Sequence, residues 1–257
     1  MLLAIDVGNT NTGFAVHDGT QFLDQWRVAT EHQRTGDEYF VWLSSMMSLK
    51  GIEGAIDRVV ISSVVPQVVF NLRVLSSRYY NCRPLVVGKP ECKLGVPIRV
   101  DAGVHVGADR LVNTVAGFNR YGGNLILVDF GTATTFDVVD VDGAYIGGVI
   151  APGVNLSMKA LHDAAAALPH VDVTKPEKVI GTNTVACMQS GVFWGYIGLV
   201  EGICRQITAE HGRRMKVIGT GGLSTLFGTG TEVFDHLDAD LTMHGLVLID
   251  ALNRENK

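Results

Sequence analysis

Two stretches of the chain repeat one pattern, and a chain that carries it twice has few ways to fold. In residues 124–137, NLILVDFGTATTFD, the apolar run Leu125–Val128 ends in Asp129. Gly131 follows, then Thr132, Thr134 and Thr135, and a second run leads to Asp137. Residues 2–19, LLAIDVGNTNTGFAVHDG, do the same. An apolar run ends in Asp6, then come Val7, Gly8, Asn9, Thr10, Asn11 and Thr12, and Gly13 opens the next apolar run. Each stretch reads as a buried strand, a tight turn and a returning strand. The glycine lets backbone approach a ligand closely, turn N–H groups and hydroxyls are phosphate donors, and a carboxylate at the strand end can hold a hard cation. Taken singly, such a hairpin is equally a polar turn over a hydrogen-bonded Asp. Two copies about 120 residues apart predict a duplicated, two-lobed α/β architecture.

The composition permits this. A chain that is 47% hydrophobic and 18% charged can bury a core in one large domain or two small ones. The net charge of −5 speaks against nonspecific nucleic-acid binding, which draws its affinity from neutralising phosphates. The densest basic cluster is only Arg213–Arg214 with Lys216. An acidic chain that binds phosphates needs local donors and metal ions. Cys82, Cys92, Cys187 and Cys204 form no CxxC pair and no zinc-ligand spacing; they are expected to be reduced thiols of a cytoplasmic protein. The first apolar stretch is interrupted by Asp6 and has no basic leader. No uncharged apolar run reaches the ~18 residues of a membrane helix. Neither a membrane nor a nucleic-acid partner is expected.

In chain order, Leu2–Ile5, Gly13–His17 and Gln21–Val28 read as a three-strand meander turned at Asp18-Gly19. Thr35–Leu49 is a helix capped by Thr35 or Gly36, Arg58–Ser62 a strand, and a helix starts after Pro66. Leu85–Val87 is a short strand and Leu94–Val100 is extended. Ala108, Leu111, Val112, Val115 and Phe118 form a helix face within Val106–Gly123, which places Asp109 and Arg110 in its first turn. Asp109 there complements the helix dipole. Arg110 does not, and an arginine at that end makes sense if an anion docks beside the free N–H groups. The strand–turn–strand at 124–141, a hairpin at Asp142-Gly143 and a helix from Val154 to about Ala167 follow. Thr182 to about His211 is the longest helical stretch. On it Gly191, Gly195, Gly198 and Gly202 form a second stripe, each costing ~1 kcal/mol against alanine. Four on one face point to close approach of another backbone, either a neighbouring helix or a second subunit, and a subunit contact is expected. Lys216–Ile218 is a strand ending in glycines, and Met243 to about Asn253 is the last helix.

Together DVGNTNT (6–12), SSVVP (62–66), GADR (107–110), DFGTATTFD (129–137), GGVIAPG (147–153), GTNT (181–184), MQSG (188–191) and TGG (220–222) resemble the motifs of type III pantothenate kinases, in the acetate and sugar kinase/Hsp70/actin superfamily. They run through nearly the whole chain in that family's order. The resemblance implies two ribonuclease H-like lobes of the actin-like ATPase kind, here residues 1–122 and 123–257, the second with a dimerisation helix, and ATP in the cleft between mixed sheets. It implies ATP-dependent phosphorylation of pantothenate to 4′-phosphopantothenate, the first step of coenzyme A biosynthesis. It further implies a homodimer that uses Mg2+ and a monovalent cation, K+ or NH4+.

Carried over by motif, Asp6, Val7, Gly8, Asn9, Thr10, Asn11, Thr12 and Gly13 bind ATP, Asp6 through Mg2+, and Thr132 is a further ATP contact. Gly107, Ala108, Asp109, Arg110 and Thr184 bind pantothenate. Asp109 is the base, Arg110 meets the pantothenate carboxylate, and Asp129 is the potassium ligand. The sequence departs from the family at Val100, where a tyrosine usually stands seven residues before the GADR glycine; Val100 can line the pocket but lacks the hydroxyl. Two other readings fit the motifs less fully. One is a kinase of the same superfamily acting on another small acceptor. The other is a nucleotide-binding regulator of transcription without chemistry, which would have no need of a base and a cation-site carboxylate together.

Overall fold

The computed structural model describes residues 1–164, 168–169 and 171–254. The chain forms two compact units, one of Met1–Pro97, Asp101–Ala116 and the residues from Leu241 onward, the other of Ile98–Val100 and Gly117–Asp240. The first holds β1 (Leu2–Val7), β2 (Asn11–His17), β3 (Phe22–Ala29), α1 (Gly36–Leu49), β4 (Arg58–Ser63), α2 (Pro66–Tyr79), β5 (Leu85–Val86) and the first turns of α3 (Ala108–Tyr121). The second holds β6 (Leu125–Phe130), β7 (Ala133–Val139), β8 (Tyr145–Pro152), α4 (Val154–Ala164), α5 (Thr184–His211), β9 (Lys216–Gly221), α6 (Ser224–Gly228) and β10 (His236–Leu237). The last helix, α7 (Leu241–Arg254), returns to the first unit.

The duplication predicted from the two hairpins is present strand by strand. The sheets are ordered β3-β2-β1-β4-β5 and β8-β7-β6-β9-β10. In each, the first three strands form an antiparallel meander, the fourth lies parallel to the first and the fifth parallel to the fourth. Even the irregularity repeats, as a register shift at Val16/His17 in β2 and at Val138/Val139 in β7.

Strand alternation divides the first sheet between two cores. Leu3, Ile5 and Val7 of β1 pack with Phe14, Val16, Tyr39, Leu43, Leu72 and Leu75, under α1 and α2. Leu2 and Ala4 face the other way, against Ala108, Leu111, Val112 and Val115 of α3 and Leu246 and Ile249 of α7. In the second unit Ile126, Val128 and Phe130 pack with Phe136, Phe193, Tyr196, Ile197 and Phe227.

Helix ends follow local chemistry. Thr35 forms a capping box with Glu38, Pro66 opens α2, and α5 runs from an Asn183 cap to Gly212 at φ 72°. The expected C-terminal reach of α4 to Ala167 falls on residues 165–167, outside the described residues. No described helix is long and apolar enough to cross a membrane.

The division at 122/123 differs from what the packing makes. The chain passes between units inside α3, after Ala116, and α7, assigned from sequence to the second lobe, belongs to the first. Its apolar face closes the core that the short residues Ala4 and Ala15 leave open above β1 and β2. Gly245 permits this approach, since a Cβ there would collide with the Val112 carbonyl.

Candidate active site

In the first unit a row of residues crosses four strands. Arg27 of β3 stands opposite Gly13, Gly13 opposite Asp6, and Asp6 opposite Ser62 of β4. Asp6 shares the face of Leu2 and Ala4, the face that α3 covers, so the end of β1 delivers its carboxylate to the first turn of that helix. Asp6 Oδ1 is buried and has no hydrogen-bond partner. Burial pushes the Asp6 carboxyl up to about 6; the Ser62 hydroxyl opposes the rise, the Asp109 charge adds to it and Arg27 offsets part of it. Asp6 and Asp109 are thereby brought within each other's electrostatic reach. The end of the Met243 side chain of α7 packs on Gly13, where a Cβ would stand 2.8 Å from Met243 Cε.

The β1–β2 turn is held from behind. Gly8 N donates to Asn11 O at 3.0 Å, Thr30 N to Thr10 O at 2.9 Å, and Thr30 Oγ1 to Gly8 O at 2.8 Å. Asn9, Thr10 and Asn11 are left exposed on the turn. Two residues of the predicted ATP set serve the fold instead with their side chains. Val7 lies in the core, and the fully buried Thr12 hydroxyl bonds that of Thr30 at 2.9 Å.

At the start of α3, Asp109 Oδ1 accepts the Arg110 N–H at 2.8 Å. Gly107 makes room for this carboxylate, since a Cβ there would lie 2.6 Å from Oδ1. Burial raises the Asp109 carboxyl above the ordinary range, against the lowering by the Arg110 N–H and the Arg110 charge. Ala108 is buried beneath. The arrangement is a carboxylate more basic than usual, one oxygen fixed, beside a guanidinium.

The second unit repeats the first with different side chains. Asp129 stands opposite Thr135 of β7 and Thr220 of β9. Gly131 N donates to Ala133 O at 3.0 Å to close the turn, on which Thr132 is exposed. Two glycines press on it: a Cβ at Gly221 (φ 85°) would collide with Asp129 Oδ1, and one at Gly153 with the Thr132 carbonyl. Thr135 Oγ1 donates to Asp137 Oδ2 at 3.4 Å. Thr184 is the exposed first residue of α5, and Asn183 Oδ1 accepts the Ala186 N–H at 2.9 Å. Val100 lies in this unit, next to Arg99, whose N donates to Tyr145 O at 2.8 Å and whose guanidinium pairs with Asp140 and Asp142.

Ser62, Gly153 and the neighbours Thr220 and Gly221 stand in the strings SSVVP, GGVIAPG and TGG. Their significance lies in parallel register and close approach, which neighbours in sequence do not express.

A family model for type III pantothenate kinase matches residues 2–206. A type III pantothenate kinase of Dinoroseobacter shibae is 71% identical over 255 residues, covering 99% of this chain and 100% of the relative. Among solved structures, the activator of 2-hydroxyisocaproyl-CoA dehydratase from Clostridium difficile with bound ADPNP aligns with a TM-score of 0.55 at 12% identity, over 99% of this chain and 96% of that one. The ROK hexokinase of Thermus thermophilus aligns at 0.50 and 12%, over 100% and 99%. At these identities the structures speak for the fold alone, that of the actin-like ATPases and sugar kinases. The two hairpins, the duplicated sheets and the match across the chain agree: the chain belongs to the type III pantothenate kinase family.

Proposed function

We propose that this chain transfers the γ-phosphoryl group of ATP to pantothenate, giving 4′-phosphopantothenate, the first step of coenzyme A biosynthesis. The observation that carries the reading is the group formed by Asp6, Asp109 and Arg110 where the end of β1 meets the start of α3. Pantothenate has one carboxylate and one primary hydroxyl. Arg110 suits the carboxylate through charge-assisted hydrogen bonds. Asp109 Oδ1 is occupied by the Arg110 N–H, which leaves Oδ2 to take the proton of the hydroxyl as it attacks. Phosphoryl transfer asks the protein mainly for positioning and neutralisation. The exposed turn Gly8–Asn11 supplies donors to the phosphates, and Thr132 a further nucleotide contact. Thr184 and Val100 are assigned to the substrate.

The buried Asp6 carboxylate, whose hydrogen-bonding capacity the fold leaves incompletely used, fits a divalent cation. Among the described residues no three acidic, histidine or cysteine side chains gather as a metal cage, so Mg2+ would be held by Asp6 together with phosphate oxygens and water. When bound it neutralises phosphate charge. Asp129, against the space that Gly221 leaves and beside the Thr220 position, offers oxygen ligands of the kind that K+ or NH4+ accepts. The free cysteines suit a cytoplasmic enzyme.

ATP consumption with and without pantothenate, in K+ and in Na+ buffer, tests this reading. Pantothenate-dependent ADP release that is faster in K+ is expected; hydrolysis indifferent to pantothenate, or faster with another acceptor, rejects it. Arg110→Ala raises the KM for pantothenate by about 10–100-fold, the worth of one charged hydrogen bond, and leaves the KM for ATP unchanged; equal effects on both would remove Arg110 from the acceptor site.

The homodimer is assigned to α5. Gly191, Gly195, Gly198 and Gly202 face open space, with nothing within 4 Å of a Cβ at any of them. Among the described residues no packing accounts for glycines that weaken the helix. Gly195→Leu and Gly198→Leu are therefore expected to convert a dimer to monomers in sedimentation, and a parent that is already monomeric, or a dimer that survives both changes, rules the assignment out.

A further inference from the structure

The Asp6 carboxylate has an orphaned neighbour. Ser62 is fully buried, and its Oγ, like Asp6 Oδ1, has no hydrogen-bond partner. The two residues stand opposite each other in the parallel β1–β4 ladder, hence on one face of the sheet. Buried polar atoms in native proteins are overwhelmingly bonded, and each exception asks for a reason. The adjacent serine shows the contrast. Ser63 Oγ donates to Val65 O and accepts from Val65 N, both at 3.0 Å, closing the turn into α2. Of the two serines of the SSVVP string, one is used by the fold and the other is not. The second unit places a hydroxyl at the same point, since Thr220, also buried, stands opposite Asp129 in the parallel β6–β9 ladder.

We infer that Ser62 is a positioning residue for Asp6: in the nucleotide-loaded protein its hydroxyl donates to Oδ1, fixes the carboxylate plane and leaves Oδ2 to the hydrated divalent cation. Two orphans then satisfy each other, and Ser62 itself touches neither ion nor nucleotide. The inference rests on the assignment of Asp6 to the divalent cation. Groups that orient a metal-binding carboxylate typically contribute about 10–100-fold to metal affinity.

Mn2+ serves as the probe, its free concentration read by electron paramagnetic resonance in the presence of the intact protein and a non-hydrolysable ATP analogue. Ser62→Ala is expected to weaken Mn2+ binding by at least about 10-fold at an unchanged far-UV spectrum. Ser62→Thr restores it, the side chain that the second unit carries at this place. Ser62→Cys, isosteric but a weak donor, gives the same reading as alanine and replaces it should the alanine variant fail to fold. Unchanged Mn2+ affinity in the alanine or cysteine variant overturns the inference, and so does a threonine variant as weak as alanine. Asp6→Asn separates the two levels: if it binds Mn2+ like the parent, the cation assignment falls and the inference with it. If it loses Mn2+ while Ser62→Ala does not, only the role of Ser62 is rejected.

Discussion

Asp109→Asn lowers turnover by about 10²–10⁴-fold, the range of general-base assistance, and leaves ATP affinity within a few-fold of the parent. Asparagine is nearly isosteric and its side-chain oxygen can still accept the Arg110 N–H that Asp109 Oδ1 takes at 2.8 Å, so the first turn of α3 stays in place. What disappears is the basic oxygen that burial has made more basic than an ordinary aspartate. In a loose transition state the proton leaves late, so a carboxylate of this strength suffices and an amide does not. The Asp109 charge also raises the Asp6 carboxyl. Its removal therefore favours ionised Asp6, the form that holds the nucleotide's cation. Steady-state kcat together with calorimetric binding of an ATP analogue checks both halves; near-normal kcat excludes Asp109 as the base.

Asp6→Asn acts in opposite directions on activity and on stability. It removes the carboxylate assigned to Mg2+, and turnover falls below detection or nearly so. Yet the ligand-free variant is more stable than the parent at neutral pH. The Asp6 carboxyl, ordinarily near 3.8, is raised to about 6 in the fold, chiefly by burial. Below pH 3.8 both folded and unfolded chains are protonated there and no cost arises. As the pH rises toward 6 the unfolded chain ionises first, and folding is progressively disfavoured. Above that the cost is complete, of the order of 3 kcal/mol at ~1.4 kcal/mol per pH unit. The asparagine variant escapes it. Its Tm at pH 7.5, without nucleotide or divalent cation, exceeds that of the parent by several degrees, and the gap closes as the pH is lowered through 6 toward 4. A parent Tm equal to or above the variant's across that window contradicts the buried, uncompensated carboxylate.

The duplicated fold was legible because its signal is local. A run such as Leu125–Val128 ending in Asp129 and Gly131 states strand, end and turn within eight residues, and a second copy at Leu2–Gly13 states repetition. Helix ends were legible for the same reason: Thr35 with Glu38, and Pro66, act on their own first turns. The place of α7 was not. Its apolar face demands a partner, but both sheets offer one, and only the small residues Ala4 and Ala15 in the first unit and the close pass of Gly245 over Val112 decide between them. The passage between units after Ala116 lies inside an unbroken helical pattern and leaves no mark on it. Thr12 looked like a phosphate donor because hydroxyls in a turn so often are; its bond to Thr30 depends on the third strand returning past the turn.

The sequence by itself determined the two strand–Asp–Gly–strand units, the helix that carries Asp109 and Arg110 in its first turn, and the glycine stripe of α5, since period, turn chemistry and capping act over a few residues. The tertiary structure alone decided that Asp6 lies within electrostatic reach of Asp109, about a hundred residues away in the chain. It did so because Asp6 shares the face of Leu2 and Ala4, on which α3 packs. It also decided that Ser62 and Thr220 stand beside the two carboxylates, because parallel register is set by packing between distant strands and not by the residues next to them.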